Sequence, residues 1–374
     1  MSEDVLNPRA AEVARKLHLV REALAQAGAG AIRLRGVDWF AWATAGGDAS
    51  VLLAADLGVA DLLVTPHEAC VLTDEIEAER LRREQLADGL GLSFHIAPWA
   101  ETELHDTYVL GAAAGAPVLS DHPRRDERPL PPALRLRRMV LEPGEQERYR
   151  ALGGDAAAAM AAALRAARPH WTEHELAAAG ARELLARGIQ PALVLAAGER
   201  RLPLFRHPLP THEALGGRAM LVFCARRHGL YANLTRFVAF GAVPDALRAA
   251  EQELLRAEAT GLDAVRPGQS LAAVYHALDA AYRHANRPDE IRRHHQGGIT
   301  GYAAREIVAS ASTATGIETG MAFAFNPSFA GVKVEDTFLL GPGGLDNLTL
   351  APDWPATTVD GRARPLWLEG EAMP

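Results

Sequence analysis

Two cysteines, Cys70 and Cys224, are all that the 374-residue chain contains. Neither has a C-x-x-C partner, which excludes a disulfide framework and a cysteine zinc site and fits a reducing compartment. No run of 18 apolar residues occurs, so no transmembrane helix is expected. The first twenty residues lack the basic start and apolar stretch of a signal peptide, and we therefore expect a cytoplasmic protein.

An excess of positive charge is also missing, since the formal net charge is −8. This balance argues against a protein that binds nucleic acid or an anionic membrane surface. Hydrophobic residues make up 48% and charged residues 23% of the chain, which is ordinary globular usage. The length is too great for one ordinary core and sufficient for two domains.

The first 140 residues alternate between helical and strand-like patterns. Apolar positions at helical spacing predict a helix over 9–28. Five short strand-like runs follow, at 31–34, 51–53, 61–64, 69–73 and 93–97. A Glu- and Arg-rich helix is predicted over 75–87, before the last of these runs. This alternation predicts an N-terminal α/β domain over 1–140. The proline-rich, charged segment 120–138 is predicted to be a linker, or alternatively a surface loop inside one domain.

From residue 141 the pattern changes to long helices and paired strands. Thr172 and Glu175 form the sequence pattern of a capping box at a helix start. Strand-like runs at 220–225 and 230–240 flank a turn, and a second pair lies at 321–325 and 332–340. Helices packed on an antiparallel sheet predict an α+β domain over 141–345. The proline-rich residues 346–374 are expected to form an irregular C-terminal extension.

Four segments of this second domain occur in the order and spacing of one known superfamily. They are GLYANLTR at 229–236, HHQGGITG at 294–301, GMAFAFNP at 320–327 and GVKVEDT at 331–337. The chain thereby resembles the pita-bread hydrolases, which include prolidase, aminopeptidase P and creatinase. The N-terminal WFAW at 39–42, followed by Gly46 and Gly47, is similar to the domain that precedes the catalytic domain in prolidases and creatinases.

The resemblance implies a site for two divalent metal ions held by two Asp, one His and two Glu. The corresponding positions here are Val222, Asn233, Gly298, Asn326 and Glu335, of which only Glu335 keeps its ligand. Valine and glycine side chains offer no ligand atom, and asparagine offers a neutral carbonyl in place of an anionic carboxylate. We therefore expect no metal ion and no other cofactor.

Three residues are predicted to be catalytic. His207 stands where family members carry a substrate-facing histidine, although a surface-loop histidine is the simpler alternative. Of the neighbours His294 and His295, we favour His295 as a general base, because adjacent side chains on a strand point to opposite faces and at most one would face the cavity. Glu335, without metal, requires another partner such as Arg305, a histidine or the substrate.

Five residues are predicted to bind substrate. Arg305 corresponds to a position where creatinase also carries arginine, and its guanidinium could bind a carboxylate or form a structural ion pair with Glu306 or Glu335. Asn233 and Asn326 keep hydrogen-bonding capacity. Tyr231 belongs to the first motif, and Tyr302 could donate a hydrogen bond or serve packing alone.

Two functional hypotheses of different classes follow. The first is a metal-independent, creatinase-like hydrolase of a C–N bond in a small molecule that carries amino and carboxylate groups, or an Xaa-Pro peptidase homologue of altered activity. The second is a non-catalytic peptidase-like pseudoenzyme that binds peptide or protein. A metal-dependent peptidase with ligands at other positions is the remaining alternative. The expected ligand is a small molecule or short peptide, and the resemblance implies a homodimer.

Overall fold

The computed structural model describes residues 7–86 and 88–370 and separates into two compact units. The first unit extends to Glu145 and also includes His228–Leu230, whereas the second comprises Gln146–Arg227 and the chain from Tyr231 onward. The proline-rich segment 120–138 lies inside the first unit and is not a linker between the two. No helix among the described residues is long and apolar enough to cross a bilayer.

The first unit is built on a six-stranded mixed sheet with the strand order β4-β3-β2-β1-β5-β6. Its strands are β1 Ala31–Gly36, β2 Leu57–Val64, β3 Ala69–Asp74, β4 Ser93–Ala97, β5 Val118–Ser120 and β6 Arg128–Pro129. Its helices are α1 Pro8–Gln26, α2 Val37–Ala43, α3 Ala78–Arg80, which continues as a π-helical turn over Leu81–Gln85, α4 Glu103–Ala112 and α5 Pro132–Arg138. Apolar residues of the sheet and of α4 form a buried core that includes Leu63, Leu72 and Val109.

The second unit begins in α6, which spans Pro143–Ala166, and its other helices are α7 Glu173–Leu185, α8 Asp245–Asp263, α9 Leu271–His284 and α10 Glu290–Arg293. The predicted capping box starts α7: the Glu175 amide donates to Thr172 Oγ1, and Glu175 accepts from the Thr172 amide. Helix α9 buries Leu271, Val274 and Leu278, which share one face at helical spacing.

Two sheets of the second unit position the candidate site. The first has the order β19-β9-β8-β7 and the second β11-β10-β12-β15-β16. Their strands are β7 Gln190–Gly198, β8 Arg218–Arg227, β9 Leu230–Phe240, β10 Gly297–Thr300, β11 Ile307–Val308, β12 Ala322–Phe325, β15 Asp336–Gly341, β16 Gly344–Asn347 and β19 Leu368–Gly370. Two separate hairpins complete the strands of this unit. They are formed by β13 Ser328–Phe329 with β14 Val332–Lys333 and by β17 Ala356–Val359 with β18 Arg362–Pro365.

The C-terminal segment expected to be irregular is instead ordered into strands. β17 and β18 form an antiparallel hairpin, and β19 adds a parallel strand to the edge of β9. Arg364 of the hairpin is 1% exposed and forms ion pairs with Glu258 of α8 and Asp336 of β15. The expectation was wrong because these strands depend on distant partners that local proline content does not reveal.

Candidate functional site

Strand pairing brings parts of all four sequence motifs to one place in the second unit. Thr235 of β9 is bridged to Glu335, which immediately precedes β15. In the adjoining sheet, Gly298 of β10 pairs with Ala324 of β12, and Ala324 pairs in turn with Thr337 of β15. The motif residues therefore converge from β9, β10, β12 and β15, although more than a hundred positions separate the first from the last.

Glu335 is the only carboxylate among the five positions that the motifs predict for metal ligands, and each of its oxygens is engaged. Its Oε1 lies 2.7 Å from Arg305 Nη2, and its Oε2 lies 2.9 Å from Lys333 Nζ. Oε2 also accepts a 2.7 Å hydrogen bond from Thr235 Oγ1. Burial alone would raise the pKa of Glu335, but the two cations hold that pKa well below its ordinary value. Glu335 is therefore an anion at neutral pH.

Three histidines form a cluster beside this ionic network. His207, His294 and His295 each offer a ring nitrogen, and these nitrogens all lie within 4.8 Å of one another. His294 Nε2 is 3.0 Å from His207 Nε2, and its Nδ1 is 3.2 Å from the Asn326 carbonyl oxygen. His294 is buried, whereas His207 and His295 are exposed. The cluster thus has one anchored ring and two accessible rings.

The expectation that only one of the two adjacent histidines faces the site was wrong. The ring centroids of His294 and His295 are 4.7 Å apart, and both rings contribute to the same cluster. Only a regular strand at these positions would point the two side chains to opposite faces. In the structure β10 starts only at Gly297, whose φ is +91°, so His294 and His295 precede the strand and do not alternate across it.

The environment keeps the histidine cluster unprotonated near neutral pH. Burial and the nearby Lys333 ammonium together lower the pKa of His294 to about 2. Burial and the Arg305 guanidinium lower the pKa of His295 to about 4. Burial and Lys333 also lower the pKa of His207. Neutral rings carry a lone pair that can accept a proton or bind a metal ion.

Asn233 and Asn326 place two unused acceptors in the buried interior. Asn233 Nδ2 donates to Thr300 Oγ1 over 3.1 Å, which assigns its Oδ1 as the free end. The Oδ1 atoms of Asn233 and Asn326 have no hydrogen-bond partner among the described residues, and the two residues are 0% and 2% exposed. An unpaired buried acceptor is costly, so each could accept a hydrogen bond from an N–H group.

The two predicted tyrosines both make backbone hydrogen bonds near the site. Tyr302 is 1% exposed, and its backbone amide donates to Glu306 Oε1 over 3.1 Å. The Tyr231 amide donates to the Gly301 carbonyl over 2.8 Å. The Tyr231 contact joins β9 to the turn after β10, and the Tyr302 contact stabilises that turn. They give both tyrosines a structural role and leave substrate binding by their side chains as a prediction.

Sequence reasoning missed two members of the site and undervalued a third. Lys333 and Thr235 both bind Glu335, and His294 anchors the histidine cluster. A signal for Lys333 was present, because residues two apart in an extended segment share one face, which places Lys333 and Glu335 together. Thr235 was part of a quoted motif but carried no chemical signal by itself.

The fold defines a class of proteins in which an α/β domain is followed by a pita-bread domain. The model of metallopeptidase family M24 matches residues 147–342, more than half of the chain and the whole of the region that carries the histidine cluster and Glu335. The chain therefore belongs to metallopeptidase family M24.

Solved structures support the same fold over nearly the whole chain. The prolidase from Pyrococcus horikoshii OT3 is 16% identical, with a TM-score of 0.76, and the alignment covers 90% of this chain and 98% of that one. Dipeptidase PepE from Mycobacterium ulcerans is 21% identical, with a TM-score of 0.74 over 92% and 97% of the two chains. The N-terminal domain of FACT complex subunit SPT16 from Cicer arietinum is 14% identical, with a TM-score of 0.66 over 91% and 95%. Among curated proteins, none matches the sequence significantly.

The residues at the five positions that the motifs predict for metal ligands do not fit two divalent ions. Val222 is buried in β8 and has no ligand atom. A Cβ built on Gly298 would lie 2.0 Å from the Ile307 carbonyl oxygen, so a histidine could not stand there without a backbone shift. Both oxygens of Glu335 are already bound by cations. A single carboxylate that is already paired with two cations cannot offset the charge of two hard metal ions.

Proposed function

We propose that the protein is a hydrolase of a C–N bond in a small substrate that carries amino and carboxylate groups, and that it works without the two-metal centre of its family. One observation carries the proposal: neutral histidines, two of them accessible, interact electrostatically with a buried carboxylate that is paired with two cations. A neutral ring at such a position is suited to general-base catalysis.

The charges around Glu335 favour an anionic group on the substrate. Lys333 and Arg305 carry two positive charges against the single negative charge of Glu335, which leaves a local charge of +1. The Arg305 Nε is buried and has no hydrogen-bond partner among the described residues, so this donor is available to a carboxylate. The Oδ1 atoms of Asn233 and Asn326 provide acceptors for the substrate's N–H groups.

The reaction requires one water and one base. A ring nitrogen of His207 or His295 accepts a proton from water while the water oxygen bonds to the carbon of the C–N bond. The electron pair of the breaking C–N bond passes to nitrogen, which receives the proton back from the histidinium. The products are the hydroxylated carbon fragment and the free amine, so atoms and charge balance. Both rings are exposed and can reach a bound water.

Turnover by metal-depleted protein tests this proposal. Chelator-treated protein is incubated with Gly-Pro, other Xaa-Pro dipeptides and creatine, and cleavage is followed by mass spectrometry. We expect turnover of a carboxylated amine that persists after chelation and is lost in His207→Asn. Turnover that appears only when manganese is added would contradict the proposal and indicate a conventional metallopeptidase.

A second candidate function is binding without catalysis. The likeness to the FACT subunit domain favours it, because that domain is described as part of a protein complex and shares this fold. Under this alternative the same site binds a peptide that is never cleaved. Saturable binding of Xaa-Pro peptides in calorimetry, with no cleavage by mass spectrometry, would support this function in place of the hydrolase.

The expected homodimer is a further part of the proposal. It comes from the family resemblance, and the described chain is a single copy. Sedimentation equilibrium at micromolar concentration should give twice the chain mass of 40.1 kDa. A monomer at that concentration would remove the homodimer from the account without changing the site chemistry.

A further inference from the structure

The histidine cluster supplies ligand atoms for a metal site, and its residues are different from those at the five positions that the motifs predict for metal ligands. We propose that His207, His294 and His295 together bind one divalent transition-metal ion, with zinc as the best-suited example. The three candidate ligand atoms lie within 4.8 Å of one another, and no other group of three potential ligands of this kind occurs in the described parts of the chain. The expectation of no cofactor is thus replaced by a specific, testable site.

The distances suit one ion better than two. A tetrahedral zinc ion with Zn–N bonds of about 2.0–2.1 Å places its ligand atoms roughly 3.3 Å apart. The His207 Nε2 to His294 Nε2 distance is 3.0 Å, and the full set spans at most 4.8 Å. His207 and His295 are exposed, so their rings can close the remaining gap by side-chain rotation without disturbing a core.

His294 already has the orientation of a metal ligand. Its Nδ1 faces the Asn326 carbonyl oxygen at 3.2 Å, and a carbonyl can only accept, so Nδ1 carries the proton. The lone pair of His294 therefore resides on Nε2, which points to His207. Metal-bound histidines usually donate their second ring nitrogen to such a carbonyl, which fixes the ring and its tautomer.

The ligand type and local charge restrict which ion binds and what completes its coordination. Neutral imidazoles favour zinc, copper and nickel over manganese, magnesium or calcium, which prefer oxygen ligands. Lys333 and Arg305 outnumber Glu335 by one positive charge, so an added dication is stabilised by an anion at its fourth position. Hydroxide or a substrate carboxylate has the required charge, and the exposure of two rings leaves that position open.

Metal uptake and general-base catalysis would use the same ring nitrogens. An ion held by all three histidines occupies the lone pairs that the proposed hydrolase needs to accept a proton. Zinc should therefore inhibit that activity, at the stoichiometry at which it binds. The metal site itself does not depend on the hydrolase being correct, since its binding can be measured without any substrate.

Binding of zinc and cobalt to the purified full chain tests the inference directly. Isothermal titration calorimetry should show one zinc ion per chain, and cobalt should give the intense visible absorption of a tetrahedral site. His207→Ala and His295→Ala should each weaken zinc binding by at least the roughly 10- to 100-fold that loss of an outer-shell partner costs. Both side chains are exposed, so the variants should fold, and their circular dichroism and melting temperature would verify that.

The chain offers a matched control in His174 and His212. These two exposed rings also lie 4.7 Å apart, centroid to centroid, as His207 and His294 do, but they are a pair and not a triplet. The double variant His174→Ala/His212→Ala should bind zinc as tightly as the unmodified chain. Unchanged zinc affinity in His207→Ala and His295→Ala, or loss of affinity only in the control, would overturn the proposed site.

The outcomes separate this inference from the proposed function. Turnover of a substrate together with no zinc binding would refute the metal site alone. Zinc binding at the three histidines without any turnover would support the metal site and count against the hydrolase. Zinc that binds and raises the rate would support the site and contradict the assignment of a free histidine as the base.

Discussion

Glu335 and Asp336 are adjacent in sequence, and both are buried, yet they belong to two different ionic networks. Glu335 pairs with Arg305 and Lys333 on the side of the histidine cluster. Asp336 pairs with Arg236 at 2.6 Å and with Arg364 at 2.9 Å. Their opposite directions follow from the alternation of side chains along an extended chain.

The two networks differ in how completely they are sealed. Arg364 also pairs with Glu258, and all four members of this network, Asp336 included, have side chains no more than 3% exposed. Around Glu335 the Arg305 side chain is 13% exposed, and two exposed histidines lie close by. The first network fixes the fold by joining β9, β15, α8 and β18, whereas the second contains a partly exposed cation. Similar charge pairs thus serve structure in one case and, we propose, chemistry in the other.

Breaking the sealed network should produce the largest loss of stability. Arg364→Met leaves the carboxylates of Glu258 and Asp336 buried without this cation, which should lower the free energy of unfolding by about 3–5 kcal/mol. Urea denaturation measures the change. The control is Arg362→Met on the same strand, whose ion pair with Asp263 is 29% and 47% exposed and should contribute less than about 1 kcal/mol. Equal losses in the two variants would remove the distinction between sealed and exposed pairs.

A substitution in the histidine cluster near Glu335 should affect activity and not stability. His207→Asn removes a proposed base and should lower kcat/KM by about 10²- to 10⁴-fold. Because His207 is exposed, the free energy of unfolding should change by less than about 0.5 kcal/mol. Activity with a chelated sample and urea denaturation provide the two readings. A variant that unfolds easily but keeps its activity would show that His207 is structural.

A more conservative change should separate substrate binding from charge. Arg305→Lys keeps the positive charge beside Glu335 but removes the planar guanidinium, and with it the Nε donor. KM for a carboxylated substrate should rise by roughly tenfold, which corresponds to the loss of about one charge-assisted hydrogen bond. Steady-state kinetics measures this change, and a lower kcat at unchanged KM would argue against a role in carboxylate binding.

The smallest effect concerns Glu251, a carboxylate that belongs to neither network. Burial raises the pKa of Glu251 from 4.5 to about 7. Because the folded state holds the proton more tightly than the unfolded state, this group should lower stability as pH rises from about 4.5 to 7, and the penalty should then persist. Glu251→Gln should remove it and stabilise the protein by about 1 kcal/mol at pH 8, allowing for solvent screening. Urea denaturation of the variant and the unmodified chain at pH 5 and pH 8 measures this effect. A stabilisation by Glu251→Gln that is larger at pH 5 than at pH 8 would contradict the prediction.

The sequence was most informative where residues at fixed spacing belong to one local element or one recurrent motif. The capping box at Thr172 and the start of β4 at Ser93 are predicted from local patterns alone. The four motifs predict the pita-bread fold and the position of Glu335. By contrast, the apolar run 51–53 is an exposed turn and not a strand, because its side chains have no sheet to pack against.

The partners within the site were less predictable than its location. Pairing of Glu335 with Lys333 and Thr235 depends on side-chain directions that a list of motifs does not contain. The histidine cluster depends on the irregular backbone before β10, which brings two adjacent rings to the same side. The long-range pairing of β19 with β9 likewise has no local signal.

A titration with manganese followed by electron paramagnetic resonance tests the central claim most directly. Manganese prefers oxygen ligands of the kind that a two-metal centre supplies. At the five positions that the motifs predict for metal ligands, this chain has one carboxylate, Glu335, which is already paired with Arg305 and Lys333. We predict that the signal of free aqueous manganese persists when two equivalents are added to micromolar protein. Uptake of both equivalents, with the spectrum of a coupled pair of ions, would contradict the account and return the protein to the two-metal peptidases.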